Sequence, residues 1–338
     1  MSGPSANATS ISRTGWRAGQ HAVLIGLLIL QIAIFSRIGH NFATVGNAFE
    51  ILRLSVEVGL LAVALTPVII TAGIDLSVGS LMGLCAVLFG VMVKDAHLPI
   101  PVACGLTCLA ALGAGWLNGW LVTQLKIPPL IVTLATYSLF RGLAEGIEGM
   151  MQKADRLDDF PKAFLDLGNE YMFGVIPNQV PFLVVEILIF WLLLHRTIIG
   201  RSWVAIGYSP EAARYSGIPV EKRVRLAYLL SGLVAGVAAI LYIARLGQAK
   251  ADVGTNYELL AITAVVLGGT SIFGGQGSIP GTVLGLLAIA VLQNGLLLSD
   301  YQEEFAKILV GLLLIGAISL NRFREQRAGR RIISSKSV

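Results

Sequence analysis

The fold class this sequence predicts is all-α: a polytopic membrane bundle of about ten transmembrane helices with both termini in the cytoplasm. Three observations predict it. Of 338 residues, 55% are hydrophobic and 13% charged, about half the roughly 25% charged share of soluble domains. The mean hydropathy is +0.76, which leaves too little polar surface to cover a fold in water. The apolar residues also come in long runs, which a soluble core would break at every surface-facing position. A DNA-binding protein, a cytosolic enzyme, a disordered chain and a secreted disulfide scaffold all fit poorly, although the net charge is +5.

A helix crossing the ~30 Å hydrocarbon layer needs about 20 mostly apolar residues. Residues 1–20 are largely polar, lack a cleavage site after the first apolar run, and read as a cytoplasmic tail carrying Arg13 and Arg17. Span one is Ala18 to Ser36. From Val58 to Val93 only Asp75 is charged, so two spans turn near Gly73-Ile74-Asp75. Leu98 to Leu125 makes a fourth. Ile127 to Phe140, extended through Gly142 to Met151, makes a fifth. Residues 141–179 turn polar and acidic, with Glu145, Glu148, Asp155, Asp158, Asp159, Asp166 and Glu170. Val180 to Ile199 is the sixth span and Leu226 to Ala244 the seventh, joined by a basic loop at 200–225. Leu259 to Ser299 is free of charge and holds spans eight and nine, with a turn at Gly274-Gly275-Gln276-Gly277. The last span lies around Phe305 to Leu320, so the membrane-spanning body of the chain is 21–320, followed by a basic tail at 321–338.

Charge parity tests that count. With the amino terminus inside, the acidic segment falls outside, while the 200–225 loop and the carboxyl tail fall inside. All three agree with the positive-inside rule, and a count of nine or eleven would misplace a basic segment. No clean internal repeat emerges, although each half holds one long uncharged hairpin with a glycine-rich turn.

Several motifs carry both a structural and a chemical reading. Cys85, Cys104 and Cys108 lie in apolar stretches with no His or carboxylate nearby, and read as small hydrophobes rather than metal ligands. Gly79-x3-Gly83, Gly115-x3-Gly119, Gly232-x3-Gly236 and Gly281-x3-Gly285 suit close helix packing. Gly275 to Gly281 has no lysine and places Pro280 where a dinucleotide fingerprint needs glycine, so the chain shows no ATP site of its own and no cofactor site is expected; without a His-Glu-x2-His pair or paired intramembrane aspartates it also lacks a catalytic set. Asp75, Ser77 or Ser80 could cap the third span, or Asp75 could serve a pathway or gate. Glu186 in an apolar run suits proton coupling or an interfacial carboxylate. Asn118 between Trp116 and Trp120 suits a cross-helix bond or a polar solute. In the basic loop, Pro210-Glu211-Ala212-Ala213 predicts a short helix with Ser209 as N-cap and Gly217 ending it. Such a helix is a plain connector or a rigid knob for a partner's groove.

These motifs together resemble a known family. Glu211-Ala212-Ala213-x3-Gly217-Ile218 is similar to the coupling motif of permease subunits of ATP-binding-cassette importers. Gly73 to Gly79, Asn118-Gly119, Ile127 to Leu134, Ala261 to Gly269 and Gly274-Gly275-x-Gly277 resemble the ribose-type sugar permeases, from about Gly59 to Leu320. Phe160 to Phe164 and Gly247 to Gly254 look closer to autoinducer-2 and rhamnose permeases than to ribose permeases, while Leu260 stands where many members carry Asp.

The resemblance implies a two-permease core, either a homodimer or a pair of related permeases, in the bacterial inner membrane. Two cytoplasmic ATP-binding subunits would dock on Gly207 to Arg225, and an extracytoplasmic solute-binding protein would deliver a sugar; nucleic acid has no part in it. Gly207, Glu211, Ala212, Ala213, Gly217 and Ile218 then become coupling residues, and Asp75, Ser77, Asn118, Thr133 and Glu186 candidates for the pathway or gate. The rival expectation is an ion-coupled secondary transporter of a small polar solute, using Asp75 and Glu186.

Overall fold

The computed structural model describes residues 8–151, 160–302, 304–316 and 319. The expected tail at 321–338, Asp155, Asp158 and Asp159, and the side chains of Arg13 and Arg17 lie outside the described part. The described chain is mostly helical. It opens with α1 (Ala8–Ile38), α2 (Val45–Leu54), α3 (Val56–Ile70), α4 (Val78–Lys94), α5 (Ile100–Gln124) and α6 (Pro129–Met151). A short α7 (Lys162–Asn169) and a two-stranded antiparallel hairpin, β1 (Tyr171–Met172) with β2 (Ile176–Pro177), fill the acidic segment. Then come α8 (Val180–Arg196), α9 (Ile198–Tyr208), α10 (Pro210–Tyr215), α11 (Val220–Leu246), α12 (Tyr257–Leu267) and α13 (Ile279–Leu297), with residues 304–316 again helical.

Within the described residues each expected apolar run contains helix, but the lengths differ from those expected. Among the described residues five helices are long and apolar enough to cross a membrane alone, and the pairs α2–α3 and α8–α9, bent by 51° and 68°, reach that length together. The apolar α4 and α12 are shorter, at 17 and 11 residues. At about 1.5 Å per residue α12 covers only ~16 Å, half of a hydrocarbon layer. The reason is the irregular chain ahead of each: 73–77 before α4 and 247–256 before α12.

Contacts define two ends of the bundle. At one, the Gly275 amide donates to the Ile70 carbonyl (2.8 Å), Ser278 Oγ meets His21 Nε2 (3.5 Å) and Gly119 packs on Arg225. At the other, the His40 amide donates to Leu298 O (2.8 Å), the Asn47 and Asn294 amides pair reciprocally, and Phe89 stacks on Phe164 (5.2 Å). The helices alternate in direction between these ends.

α3 is buried along its whole length, as expected of a helix apolar all round. α11 lies beside it and also packs on α4, α5 and α7. Its contact with α5 is glycine on glycine: a Cβ on Gly115 would strike the Gly232 backbone and one on Gly232 would strike Gly115. Gly285 meets the Ala264 and Gly268 backbone of α12 and its C-cap in the same way. These stripes act as packing surfaces. The stripe Gly79-x3-Gly83 departs from this pattern, since it faces the irregular backbone at Ala251 to Gly254 and the side chains of Glu258 and Arg141 rather than another helix's backbone.

Candidate functional site

Two places gather the residues singled out above. The first is the break between α3 and α4. Asp75 is 2% exposed there, and its Oδ1 accepts the Ser77 amide (3.0 Å) and hydroxyl (2.7 Å). This closes an Asx-type turn, in which a short carboxylate stands in for the next turn's carbonyl. Ser77 is the N-cap residue of α4 but makes no side-chain cap bond; its hydroxyl instead accepts Nδ2 of Asn118 on α5 (2.8 Å). Ser80 donates back to the Ser77 carbonyl (2.9 Å) rather than capping. Asp75 Oδ2 is reached by Ser231 Oγ of α11 (3.4 Å), and Thr133 Oγ1 of α6 donates to the Ile74 carbonyl (3.0 Å).

Asp75, Ser77, Asn118 and Thr133, scattered over 59 positions of sequence, therefore converge on one turn held by α5, α6 and α11. None of Asp75's hydrogen-bonding partners among the described residues carries a positive charge. A buried carboxylate held only by hydroxyls and an amide is a group whose environment a modest movement would change. Asn118 Oδ1 and the Tyr228 hydroxyl are buried without a hydrogen-bond partner among the described residues. Gly73 leaves room for that hydroxyl, which a Cβ there would meet at 2.6 Å.

Glu186 does not join this cluster. It is 7% exposed on α8, and neither carboxyl oxygen has a partner among the described residues. α8 packs on α3, α9 and α13, so Glu186 shares no hydrogen-bonding neighbour with Asp75. Among the described residues no group of three or more His, Cys, Asp or Glu is placed to hold a metal ion.

The second place is the elbow formed by α9, α10 and α11. Ser209 Oγ accepts the Ala212 amide (3.2 Å) as N-cap, Pro210 opens α10, and Gly217 follows at φ +78°. The helix thus starts and stops where its caps predict. Ala213 packs with Ile206 and Val220 in a small core of its own, with Ile218 against it. Arg214 bonds Glu221 (2.6 Å), and Trp203 Nε1 donates to the Arg223 carbonyl (2.7 Å). Glu211 and Ala212 are exposed, and Tyr215 is 94% exposed.

Gly207 joins the elbow to the break. A Cβ there would collide with the Ile70 carbonyl and the Gly275 backbone. The last turn of α9 thus rests on the end of α3, where the chain leaves for Asp75 five residues on.

Four charged groups take part that no sequence motif singles out. Glu57, 0% exposed on α3, accepts Arg245 Nε of α11 at 2.8 Å. Arg141 donates to the carbonyls of Ala251 and Val253, and Glu148 Oε2 accepts the Ala251 amide (3.0 Å). Glu57, Arg141 and Arg245 each sit one position outside a run drawn by absence of charge: the runs begin at Val58 and end at Phe140 and Ala244. Their place at a boundary was the available signal.

Residues 47–318 match the family described as "Branched-chain amino acid transport system / permease component", and the chain belongs to that permease family. It is therefore a multi-pass inner-membrane protein and a pathway-forming subunit rather than a catalyst. Its relatives include the autoinducer 2 import system permease protein LsrD of Escherichia coli (strain K12), 37% identical over 315 residues, covering 92% of this chain and 95% of the relative. The LsrD of Shigella flexneri matches to the same extent. That of Yersinia enterocolitica is 37% identical over 314 residues, covering 90% and 94%. No solved structure matched the chain.

Proposed function

We propose that this chain forms the translocation pathway of an ATP-binding-cassette importer for a small sugar-like solute of the autoinducer-2 type. The observation that carries the proposal is the elbow. A capped, self-supported helix exposes Glu211, Ala212 and Tyr215 while its base rests, through Gly207, on the chain leading to Asp75. That is the form expected of a lever driven by a separate ATP-binding subunit. The relatives' name, autoinducer 2 import system permease protein, supports the solute class.

In this reading residues 21–320 make about ten crossings, with 1–20, 200–225 and 321–338 cytoplasmic and 141–179 outside. The alternation of helix direction and the charge bias support it. The five long helices, the two bent pairs, α4, α12 and residues 304–316 would supply the crossings. A second permease, the same chain or a related one, completes the pathway, lipid surrounds it, and an extracytoplasmic binding protein supplies the solute. ATP is hydrolysed in the partner subunit. Closure of two ATP-binding subunits moves α10, and Gly207 transmits the movement to Ile70 and the 73–77 turn. Asp75, Ser77, Asn118 and Thr133 form the element whose two arrangements open and close the path. A ligand shifts such an equilibrium only by binding its two states unequally.

The test is cross-linking and uptake in the assembled importer. Tyr215→Cys should cross-link to the ATP-binding subunit, and vesicles holding the permease alone should take up no solute under a proton or sodium gradient. Gradient-driven uptake without the ATP-binding subunit would replace this reading with the secondary-transporter one.

A further inference from the structure

The irregular segment before α12 repeats, from the opposite end of the bundle, what the 73–77 turn does before α4. After α11 ends at Leu246, the chain passes through Gly247 (φ +67°), Gly254 (φ +74°) and Asn256 (φ +67°) before α12 begins at Tyr257. Ala249, Ala251 and Val253 are 1–2% exposed, so this segment is inside the protein. It is also deep. Gly79, which faces it, lies 15 residues from the Lys94 end of α4, about 22 Å along the helix. Irregular backbone at such depth persists only where protein buries it or where it lines a polar path.

The groups that hold the segment have bonding capacity left over. A Cβ on Gly79 would run into the Glu258 carboxylate and the Gly254 carbonyl. One on Gly83 would run into the Arg141 guanidinium and the carbonyls of Ala251 and Val253. Glu258 and Arg141 therefore face successive turns of α4, one turn beyond Asp75 and Ser77. Glu258 is 5% exposed. Its Oε2 and Arg141 Nη2 are both buried with no hydrogen-bond partner among the described residues. Leaving a charged donor and a charged acceptor idle over successive turns of one helix is costly in a protein interior, and packing alone explains neither. Alanine at Gly79 and Gly83 would have excluded both groups.

We infer that Arg141 and Glu258 are solute-contacting residues of the pathway: the guanidinium donates to, and the carboxylate accepts from, neighbouring hydroxyls of a neutral hydroxylated solute as α4 and the 249–256 segment part. Glu148, through the Ala251 amide, positions the segment without touching solute. The inference rests on the permease reading and adds to it a second polar station, separate from the Asp75 turn.

The experiment uses the complete importer in vesicles, with ATP-binding subunit, second permease and binding protein. Autoinducer-2 and L-rhamnose serve as parallel probes, and solute uptake and ATP hydrolysis are measured together. For the probe that the wild type takes up, Glu258→Gln and Arg141→Lys should each lower solute moved per ATP about tenfold, the scale of one lost charge-assisted hydrogen bond. Unchanged uptake would remove both residues from the path. Uptake and hydrolysis falling in step, with the ratio kept, would make them structural, as would failure of both variants to assemble with the ATP-binding subunit. Should only Arg141→Lys fail to assemble, Glu258→Gln decides alone. A wild type that takes up neither probe would overturn the sugar-like solute class, and this inference with it, a result distinct from failure of the variants.

Discussion

The elbow and the Asp75 turn are built in opposite ways. The side-chain bonds seen to shape the elbow among the described residues are local: Ser209 to Ala212, Arg214 to Glu221, and Trp203 to Arg223 span at most 20 positions. The Asp75 turn takes one short loop from its own neighbours and the rest from Asn118, Thr133 and Ser231, 41 to 156 positions away. A locally closed element moves as a rigid piece, because its shape does not depend on what it touches. An element held by three other helices changes whenever those helices shift. The difference suits a lever and a gate respectively, and Gly207 is where they meet.

That contrast can be broken or sharpened by substitution. The largest effect is expected at Gly207. Gly207→Val pushes a side chain into the Ile70 carbonyl and the Gly275 backbone, an overpacking cost of about 1–3 kcal/mol. It should separate lever from gate, with uptake in vesicles falling more than tenfold while ATP hydrolysis continues. Asp75→Ala follows. It deletes both Ser77 bonds and the Ser231 contact, a loss of about 2–3 kcal/mol. A lowered unfolding midpoint in detergent and roughly tenfold slower uptake should result, and Asp75→Asn, which keeps an acceptor, should recover most of both.

Gly217→Val should be milder. No atom lies within 4 Å of a Cβ there, yet φ is +78°, so the cost is left-handed backbone strain of about 1–2 kcal/mol. Uptake should fall several-fold with membrane insertion intact, and Gly217→Asn, which tolerates that conformation, should stay near wild type. The smallest effect is expected at Glu186, which makes no hydrogen bond to lever or gate among the described residues. Glu186→Gln should leave uptake within about twofold and indifferent to an imposed proton gradient; a gradient-dependent loss would revive the ion-coupled reading.

Much of this was legible in the sequence. The short helix α10 is legible to the residue, because an N-cap serine, an N1 proline and a left-handed glycine act on their immediate neighbours; the rest of the elbow is not, since the expected loop at 200–225 is helical in α9 and again from Val220 in α11. Most of the apolar runs were found as helices for an equally local reason. The extent of α12 was not legible. Its composition from Leu259 onward looks like any span, and what shortens it is the path taken by 247–256. Arg141, Arg245 and Glu57 were lost to the charge-free criterion itself, which treats a charge as a border.

Composition, charge bias and capping residues by themselves determined the mostly helical membrane class, the order of the apolar helices and the capped α10. Each follows from interactions with solvent, lipid or the next few residues, and these are present in any conformation. Only the tertiary structure decided that Asp75, Ser77, Asn118 and Thr133 meet, that Glu186 stands apart, and that Gly79 and Gly83 receive a carboxylate and a guanidinium instead of another helix's backbone. Those juxtapositions depend on where helix directions and broken segments bring distant residues, and side-chain chemistry along one strand of sequence does not encode which distant group fills a given space.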